Sequence, residues 1–285
     1  MTTVCVAANT IHYPEGGGHL WVYLNWALGL RSAGCDVIWL EGLAADTELD
    51  DARRLVGDLQ ERLGAYGLAD SLALCDWGPT PLPAHLVDTV GVLDTDAAAE
   101  ADLLLNLAYM PNAELVARFR RSALLDIDPG LLQVWMREGS VAIPPHDVYL
   151  TIGETVGRAD APFSDLGLDW QHVLPCVALE WWPVRSPAPG AAFSTVSHWW
   201  DEWVVFDGLY FANSKRISFL QFLELPRRTC VPLELALDLE PWDEDHDRLV
   251  EAGWRLREAH SVAARPWSYQ RYIQESLGEF SAAKP

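Results

Sequence analysis

The chain alternates between short apolar runs and longer segments in which apolar residues recur at helical spacing. Residues 3–8 (TVCVAA) are apolar and rich in β-branched side chains, which is typical of a strand buried on both faces. Over residues 20–30 apolar side chains recur mostly every three or four positions and stop before Gly34, which predicts a helix. DVIWLEG and DDARRLVGDLQERLGAYG then repeat this order. Strand, helix, strand, helix predicts a parallel sheet built through right-handed crossovers.

The alternation continues to about residue 180. We predict three further strands, in ADLLLNLAY, ALLDIDPG and DVYLTIGE. Two further helices are predicted, at residues 112–121 and 131–137. Most of these strands end in a polar or glycine-bearing turn, and open α/β sheets bind their ligands at the carboxyl ends of strands. The proline-rich segment WWPVRSPAPGAAF then has the composition of a linker. The first domain is therefore predicted to comprise residues 1–182.

A second α/β domain is predicted over residues 183–285. Its strands are expected in FSTVSHW, VPLELAL, HSVAA and EFSAA, and its helices in NSKRISFLQFLEL, DEDHDRLVEAGWRLREAH and WSYQRYIQESL. Four strands are few for a Rossmann-like domain. The fold class is thus α/β with two Rossmann-like domains, the second of them incomplete.

Charge and composition narrow the class of protein. The 41 acidic and 20 basic residues give a formal net charge of -21, which repels a phosphate backbone. The basic runs at residues 118–121 and 227–228 are short, so we predict no nucleic-acid partner. The five cysteines are scattered without a C-x-x-C pair, and the chain has neither 18 consecutive apolar residues nor a basic leader. We expect no transmembrane segment and a cytoplasmic location, and the oligomeric state stays open.

Three consecutive glycines and a histidine stand where the first helix is predicted to begin. Glycines at Gly16, Gly17 and Gly18 let the backbone approach a ligand closely, and a helix start favours an anion. A standard NAD or FAD site is excluded because Trp21 takes the place of the third glycine of G-x-G-x-x-G. The P-loop motif is absent as well. These glycines are candidate substrate-binding residues, and a merely flexible loop is the alternative.

The segment GGGHLWVYLNWALGLRSAGCDVIWLEG resembles the first strand-loop-helix-strand unit of bacterial glycosyltransferases of the GT-B type. In that family Gly-His opens the first helix and A-G-H-x-V marks its end; Gly18-His19 and residues 33–37 take those places, with Cys35 at the common histidine position. DIDPGLLQ, LTIGE and LPCVALEWWP are similar to other segments of such proteins. The resemblance implies two Rossmann-like domains facing across a cleft, acceptor side first and donor side second. It also implies a donor-binding sheet that continues past Pro285.

The resemblance further implies transfer of a sugar from a nucleotide-sugar donor to a small-molecule or glycan acceptor, with no cofactor and no required metal. The matching histidine serves as general base in some of these enzymes, with an aspartate behind it, which makes His19 and Asp126 the catalytic candidates. Asp102 and Asp128 are alternative partners, and Asp128 is also a candidate substrate-binding residue. Capping or packing at a helix start is the alternative role for His19, and a capped turn is the alternative for the two aspartates of DID. An Asp-x-Asp pair also occurs in metal-dependent sugar transferases of another fold.

Five more residues are candidates for substrate binding. Glu154 follows a predicted strand and a glycine, and His198 and Trp199 lie in the first loop of the second domain, where an aromatic plane can stack on a sugar or base. Lys215 and Arg216 open a predicted helix and can pair with a diphosphate. The alternatives are a surface carboxylate, core packing and solvated charge.

Two other functions stay open at the level of the sequence. One is a non-catalytic or degenerate GT-B-like binding protein. The other is a nucleotide-sugar epimerase, which has a similar architecture and needs no acceptor. Product analysis separates the transferase from the epimerase.

Overall fold

The computed structural model describes residues 1–78, 80–201 and 203–282. Residue contacts divide the chain into two compact units. The first unit comprises Met1–Pro14 and His19–Ala178, and the second comprises Glu15–Gly18 and the residues from Leu179 onward. The predicted domain boundary, between residues 182 and 183, stays a prediction. The last residues of the predicted second domain, 283–285, lie outside the described residues.

The first unit is built on a seven-stranded, wholly parallel sheet with the order β3-β2-β1-β4-β5-β6-β7. Its strands are Thr3–Ala7 (β1), Asp36–Gly42 (β2), Leu72–Cys75 (β3), Leu103–Asn106 (β4), Ser122–Asp126 (β5), Val148–Thr151 (β6) and Trp170–His172 (β7). The predicted parallel, Rossmann-like α/β fold is confirmed for this sheet.

Helices cover the sheet because its central strands are apolar on both faces. In β1, Cys5 and Ala7 belong to one face of the sheet, and Val4 and Val6 belong to the other. All four are buried, as expected for a parallel sheet with helices on each side. Cys5 and Ala7 belong to a core that includes side chains of two short helices packed on one face. The helices are Gly17–Ser32 (α1), Leu49–Gly64 (α2), Ala84–Val90 (α3), Thr95–Ala99 (α4), Ala113–Ala117 (α5) and Leu131–Glu138 (α6), and a 3-10 turn spans Ala69–Ser71.

The order of the strands reverses at β1. From β1 the chain proceeds to β2 and β3 on one side and returns to β4 on the other. At such a switch the two connections leave the carboxyl edge in opposite directions and open a crevice. The β1-α1 loop, with its glycines and histidine, starts at this point.

The second unit has a four-stranded parallel sheet of order β12-β11-β8-β13 and a separate antiparallel hairpin, β9-β10. Its first strand, β8, lies between β11 and β13, so this sheet also reverses its order at its first strand. The strands are Phe193–His198 (β8), Trp203–Phe206 (β9), Leu209–Ala212 (β10), Leu233–Asp238 (β11), Arg255–Glu258 (β12) and Gly278–Glu279 (β13).

Two predictions for the second unit are wrong. Residues 243–260, predicted as one helix, form α8 and then β12, because Gly253 ends the helix in a left-handed conformation (φ 99°). HSVAA, predicted as a strand, lies in a helix whose first N–H groups are capped by Glu258. The helices are Arg216–Leu220 (α7), Glu244–Ala252 (α8), Ala259–Ala263 (α9) and Pro266–Glu275 (α10), with 3-10 turns at Leu179–Trp181 and Leu225–Arg228. Among the described residues, no helix combines the length and apolarity needed to cross a membrane.

Candidate functional site

Polar side chains gather at the carboxyl edge of the first sheet, around the switch between β1 and β4. This group, called here the switch-point cluster, comprises Thr10, Glu41, Tyr109, Asp126 and Asp128. Tyr23 of α1 is close enough to the cluster to be affected by its charges. Burial raises the pKa of Tyr23, and the charges of Glu41 and Asp128 raise it further. The first helix and three strand ends therefore meet at one place.

His19 is the third residue of α1 and is exposed to solvent. Its Nε2 lies 2.8 Å from the backbone oxygen of Asn9. A carbonyl oxygen only accepts, so Nε2 carries the proton and, in the neutral ring, Nδ1 keeps a free lone pair. The rings of Tyr13 and Tyr23 have centroids 5.2 Å from that of His19 and limit its rotation. The arrangement presents Nδ1 as an oriented base at the start of the helix.

Glu41 is fully buried and anchors the loop that leads to α1. Its carboxylate accepts the backbone N–H of Thr10 at 3.0 Å, a short bond from the Thr10 hydroxyl and the N–H of Ile11 at 3.3 Å. The Trp39 indole N–H donates to it at 3.1 Å. Burial raises the pKa of Glu41 to about 7, against the effect of these hydrogen bonds. The group thus changes charge near neutral pH.

Asp126 ties β5 to β6 and α6. Its carboxylate accepts bonds from Gln133 Nε2 at 2.9 Å, the Thr151 hydroxyl at 2.8 Å and the backbone N–H of Asp128 at 3.0 Å. Burial raises its pKa despite these donors. The predicted catalytic pair is therefore not brought together by hydrogen bonding, since Asp126 is engaged by these groups and the His19 ring by Asn9. The backbone carbonyl takes the orienting place that the sequence assigned to Asp126.

Tyr109 has a strained backbone at the end of β4. Its φ of 63° is in the left-handed region, which is rare for a bulky side chain and marks sites where the surroundings enforce the conformation. The Asn106 side-chain oxygen accepts the N–H groups of Ala108 at 3.1 Å and of Tyr109 at 3.0 Å, which holds the turn. Strain of this kind at a switch point indicates a functional position.

The Tyr109 hydroxyl faces the loop after β5. Its oxygen accepts the backbone N–H groups of Ile127 at 2.7 Å and of Asp128 at 3.2 Å. These bonds use the accepting side of the phenol and leave its single proton to be donated to a third group. Burial raises the pKa of Tyr109, and the charges of Asp128 and Asp126 raise it further. The phenol is therefore a neutral donor within the switch-point cluster.

A buried pair of side chains supports this turn. Because the Asn106 oxygen accepts two N–H groups, its amide nitrogen is a donor, and it lies 3.3 Å from His146 Nε2. His146 is consequently protonated at Nδ1, a buried atom with no hydrogen-bond partner in the part of the chain that the structure describes. Burial lowers the pKa of His146 to about 4, so the pair is neutral at physiological pH.

Two of the three predicted glycines, Gly17 and Gly18, make close contacts within the second unit. A Cβ on Gly17 would lie 2.5 Å from the carbonyl oxygens of Ala263 and Arg265, and one on Gly18 would lie 3.0 Å from the Tyr269 ring. Gly16, the first of the three, precedes α1. The small size of Gly17 and Gly18 is thus needed for chain packing. Their predicted role in ligand binding stays a prediction.

A cavity of about 310 Å³ opens at the carboxyl ends of β11 and β12 in the second unit. Its polar lining includes Asp238 and Glu258, which are the last residues of these strands, together with Glu240, His246 and Arg257. Arg257 is paired with Glu234 at 3.2 Å. An acidic side chain at the end of the second strand of such a sheet is the usual partner of ribose hydroxyls.

The predicted pair His198 and Trp199 divides between surface and core. His198 ends β8, is exposed and lies 4.0 Å from Asp238. Trp199 is fully buried in the core of the second unit, and its indole N–H donates to Asp245 at 3.0 Å. The predicted stacking surface of Trp199 is corrected: its ring faces are covered by core residues, and the exposed ring is that of Trp200.

The remaining predicted residues are Glu154 in the first unit and Lys215 and Arg216 in the second. Glu154 is exposed after β6. Lys215 donates to the Ser281 hydroxyl at 2.9 Å. Arg216 makes a short bond to the buried carboxylate of Asp245 and pairs with Glu244 at 3.7 Å. The cationic group of Arg216 is therefore engaged by carboxylates within the second unit, and its predicted diphosphate contact stays a prediction.

Sequence reasoning missed Glu41 and Tyr109. Glu41 left one signal, a charged side chain near the end of the apolar strand DVIWLEG, which is compatible with a buried acceptor and with an exposed carboxylate. Tyr109 left none, because a positive φ at a tyrosine has no sequence signature. Both residues depend on contacts between segments far apart in the chain.

Within residues 1–78, 80–201 and 203–282, no three His, Cys, Asp or Glu side chains are grouped so as to hold a metal ion. Comparison with models of known protein families gives no match, and comparison with curated proteins gives none either.

Proposed function

We propose that the protein is a nucleotide-sugar-dependent glycosyltransferase with a GT-B arrangement, in which two Rossmann-like sheets face across a cleft. The observation that carries the proposal is a repeated topology: each unit has a parallel sheet that reverses its order at its first strand, β1 in one and β8 in the other. Each switch point is a ligand position in this type of sheet. Two such positions suit a reaction between two bound substrates.

His19 is proposed as the general base. Its Nε2–H donates to the Asn9 carbonyl, and Nδ1 takes the proton of the acceptor hydroxyl. As the acceptor oxygen forms its bond to the anomeric carbon, the bond from that carbon to the diphosphate oxygen breaks. The nucleoside diphosphate leaves with the electron pair. Residues 1–182 bind the acceptor in this proposal.

Residues 183–285 are proposed to bind the donor. The cavity at the ends of β11 and β12 supports this assignment, since its volume lies at the lower end of those of small-molecule sites. Asp238 and Glu240 offer carboxylates to ribose hydroxyls there. The net charge of -21 makes a compact nucleotide sugar in a shaped site a more suitable partner than a polyanion.

The test is release of nucleoside diphosphate from UDP-, GDP- and dTDP-hexoses in the presence of a mixed set of small-molecule and glycan acceptors. We expect release by the wild-type chain and a decrease of about 10²–10⁴-fold in His19→Ala, the usual contribution of a general base. His12→Ala is the matched control, because His12 is an exposed histidine in the loop that leads to α1. Its rate should stay at the wild-type value.

Equal rates for His19→Ala and the wild-type chain would remove His19 from the reaction. Binding of a nucleotide sugar without any release would favour the degenerate binding protein. Conversion of one nucleotide sugar into its stereoisomer would favour the epimerase.

A further inference from the structure

Trp199 and Trp200 follow β8 at the switch of the second sheet, and one is buried whereas the other is exposed. Trp199 is fully buried, whereas 52% of Trp200 is exposed. The buried member fixes the backbone by packing in the core and bonding Asp245. Trp200 is therefore an exposed aromatic ring on a fixed segment of backbone, beyond the carboxyl end of the central strand β8.

The indole of Trp200 is also held by a hydrogen bond at its edge. Its N–H donates to Asp243 Oδ2 at 2.6 Å. The other oxygen of Asp243 accepts the N–H of Asp245 at 2.9 Å and caps α8. The ring is thus attached to the start of a regular helix, and ordering it costs little entropy when a ligand arrives.

One face of the ring is covered by a cation. The Arg216 guanidinium carbon lies 4.2 Å from the ring centroid. Arg216 is held by Asp245, which is fully buried, and by Glu244 at 3.7 Å. Burial alone would raise the pKa of Asp245, but the bonds from Arg216 and Trp199 and the charges of Arg216 and Arg248 outweigh it and lower the pKa. The cation therefore stays paired and in place at neutral pH.

With Arg216 over one face, the opposite face is the surface through which Trp200 can stack. We propose that this face binds the nucleobase of the nucleotide-sugar donor. The proposal rests on the proposed function and adds the part of the donor that this side chain recognises. A planar base covers an indole completely and tolerates any base identity, since every base has a π-face.

The position in the fold supports a ligand on Trp200. The ring lies two residues past the end of β8, the strand at which the order of the second sheet reverses. Ligands of such sheets bind beyond the carboxyl ends of strands at this point.

The experiment uses the full chain labelled with 5-fluorotryptophan and followed by ¹⁹F NMR. The Trp200 resonance is identified as the one lost in Trp200→Phe, and that of Trp242, 81% exposed in the same unit, as the one lost in Trp242→Phe. The probes are UMP, GMP, AMP and dTMP, and methyl glucopyranoside for the sugar alone. We expect a saturable shift of the Trp200 resonance with at least one nucleotide and a Trp242 resonance that stays in place.

Affinity gives the second readout. Trp200→Ala should weaken binding of that nucleotide by about tenfold, the usual loss when one base loses its stacking partner. Trp200→Phe keeps an aromatic face and should retain most of the affinity, and Trp242→Ala should retain all of it. Circular dichroism on each variant checks that the fold is kept.

Three results would overturn the inference: nucleotide binding by calorimetry with an unmoved Trp200 resonance, a shift caused by methyl glucopyranoside alone, or no binding of any of the four nucleotides. Two further outcomes distinguish the proposed function from the proposed contact between Trp200 and the nucleobase. Hexose transfer with an unmoved Trp200 resonance would leave the function standing without this contact. A shifted resonance without any release of diphosphate would keep the base site and remove the transferase.

Discussion

Glu41 connects two parts of the first sheet that the sequence keeps apart. Its carboxylate holds the N–H groups of Thr10 and Ile11, so the loop after β1 is fixed to the end of β2. That loop also carries the Asn9 carbonyl that orients His19. Glu41 is therefore a positioning residue for the proposed base.

The raised pKa of Glu41 predicts a pH-dependent stability. Between the ordinary value of 4.5 and the folded value of about 7, the folded chain keeps a proton that the unfolded chain has lost. The free energy of unfolding should therefore fall as the pH rises through this window, and Glu41→Gln should lack this component. The difference in unfolding free energy, wild type minus variant, should fall by about 3 kcal/mol from pH 4.5 to 7.5.

Urea unfolding of both proteins across this pH range measures the difference. Glu154→Gln removes an exposed carboxylate from the same unit and is the matched control, whose own change is subtracted from that of Glu41→Gln. A constant difference for Glu41→Gln after this subtraction would mean that its folded pKa is not raised.

Tyr109 gives a second prediction at the level of a single residue. Tyr109→Phe keeps the ring and removes the oxygen that accepts the N–H groups of Ile127 and Asp128. The Asp128 N–H keeps the Asp126 carboxylate as an acceptor at 3.0 Å, so the change leaves only the part-buried N–H of Ile127 without its partner, at a cost of about 1 kcal/mol. We expect the denaturation midpoint to fall accordingly. Tyr210→Phe, at an exposed tyrosine of the β9-β10 hairpin, should leave the midpoint unchanged; equal midpoints for both variants would show that the Tyr109 hydroxyl supports nothing.

At the scale of elements, two helical glycines should respond to alanine in opposite directions. Gly17 starts α1 against the backbone of residues 263–265, which cannot move aside as a side chain can, so Gly17→Ala should destabilise by about 1–3 kcal/mol. Gly57 is in the interior of α2 with nothing within 4 Å of an added Cβ. Gly57→Ala should stabilise by roughly 0.5–1 kcal/mol.

Thermal unfolding of the two variants and the wild-type chain measures both effects. A stabilised Gly17→Ala would show that Gly17 does not pack against the backbone of residues 263–265. A destabilised Gly57→Ala would contradict the open surroundings of α2.

The sequence predicted the elements whose pattern is local and missed those set by distant contacts. β1 and β2 are short apolar runs, and α1 ends at Ser32, two residues before Gly34, so the signals of all three lie in their own segments. β7 has only three residues, WQH, with one buried side chain, and becomes a strand through its pairing with β6. β12 reads RLRE and carries no apolar alternation; β11 beside it supplies the partner.

The same division holds for the candidate site. The position of His19 at the start of α1 follows from a local feature, a histidine after three glycines, and its catalytic role stays a prediction. Its orienting partner was predicted as Asp126, and the structure assigns that part to a backbone carbonyl, which every residue has and no pattern reveals. The exchange of Trp199 for Trp200 has a similar cause. Adjacent residues leave a strand on opposite sides, and only the core decides which one is buried.

At the scale of the whole molecule, the chain contains two parallel sheets, and the order of the strands reverses at the first strand of each. The first sheet joins an oriented histidine to a cluster of buried carboxyls and a strained tyrosine. The second sheet joins an anchored indole to an acidic cavity. A reaction that brings an acceptor hydroxyl to a nucleotide-bound sugar uses both kinds of site.

The most direct test of this account follows the sugar itself. The full chain is incubated with UDP-, GDP- and dTDP-hexoses labelled with ¹³C in the hexose, together with mixed acceptors, and the products are separated and weighed by mass spectrometry. A glycosyltransferase should place labelled hexose in a new glycoside and release one nucleoside diphosphate for each hexose transferred. Label that stays entirely in the nucleotide fraction, unchanged or as a stereoisomer, would contradict the proposed function.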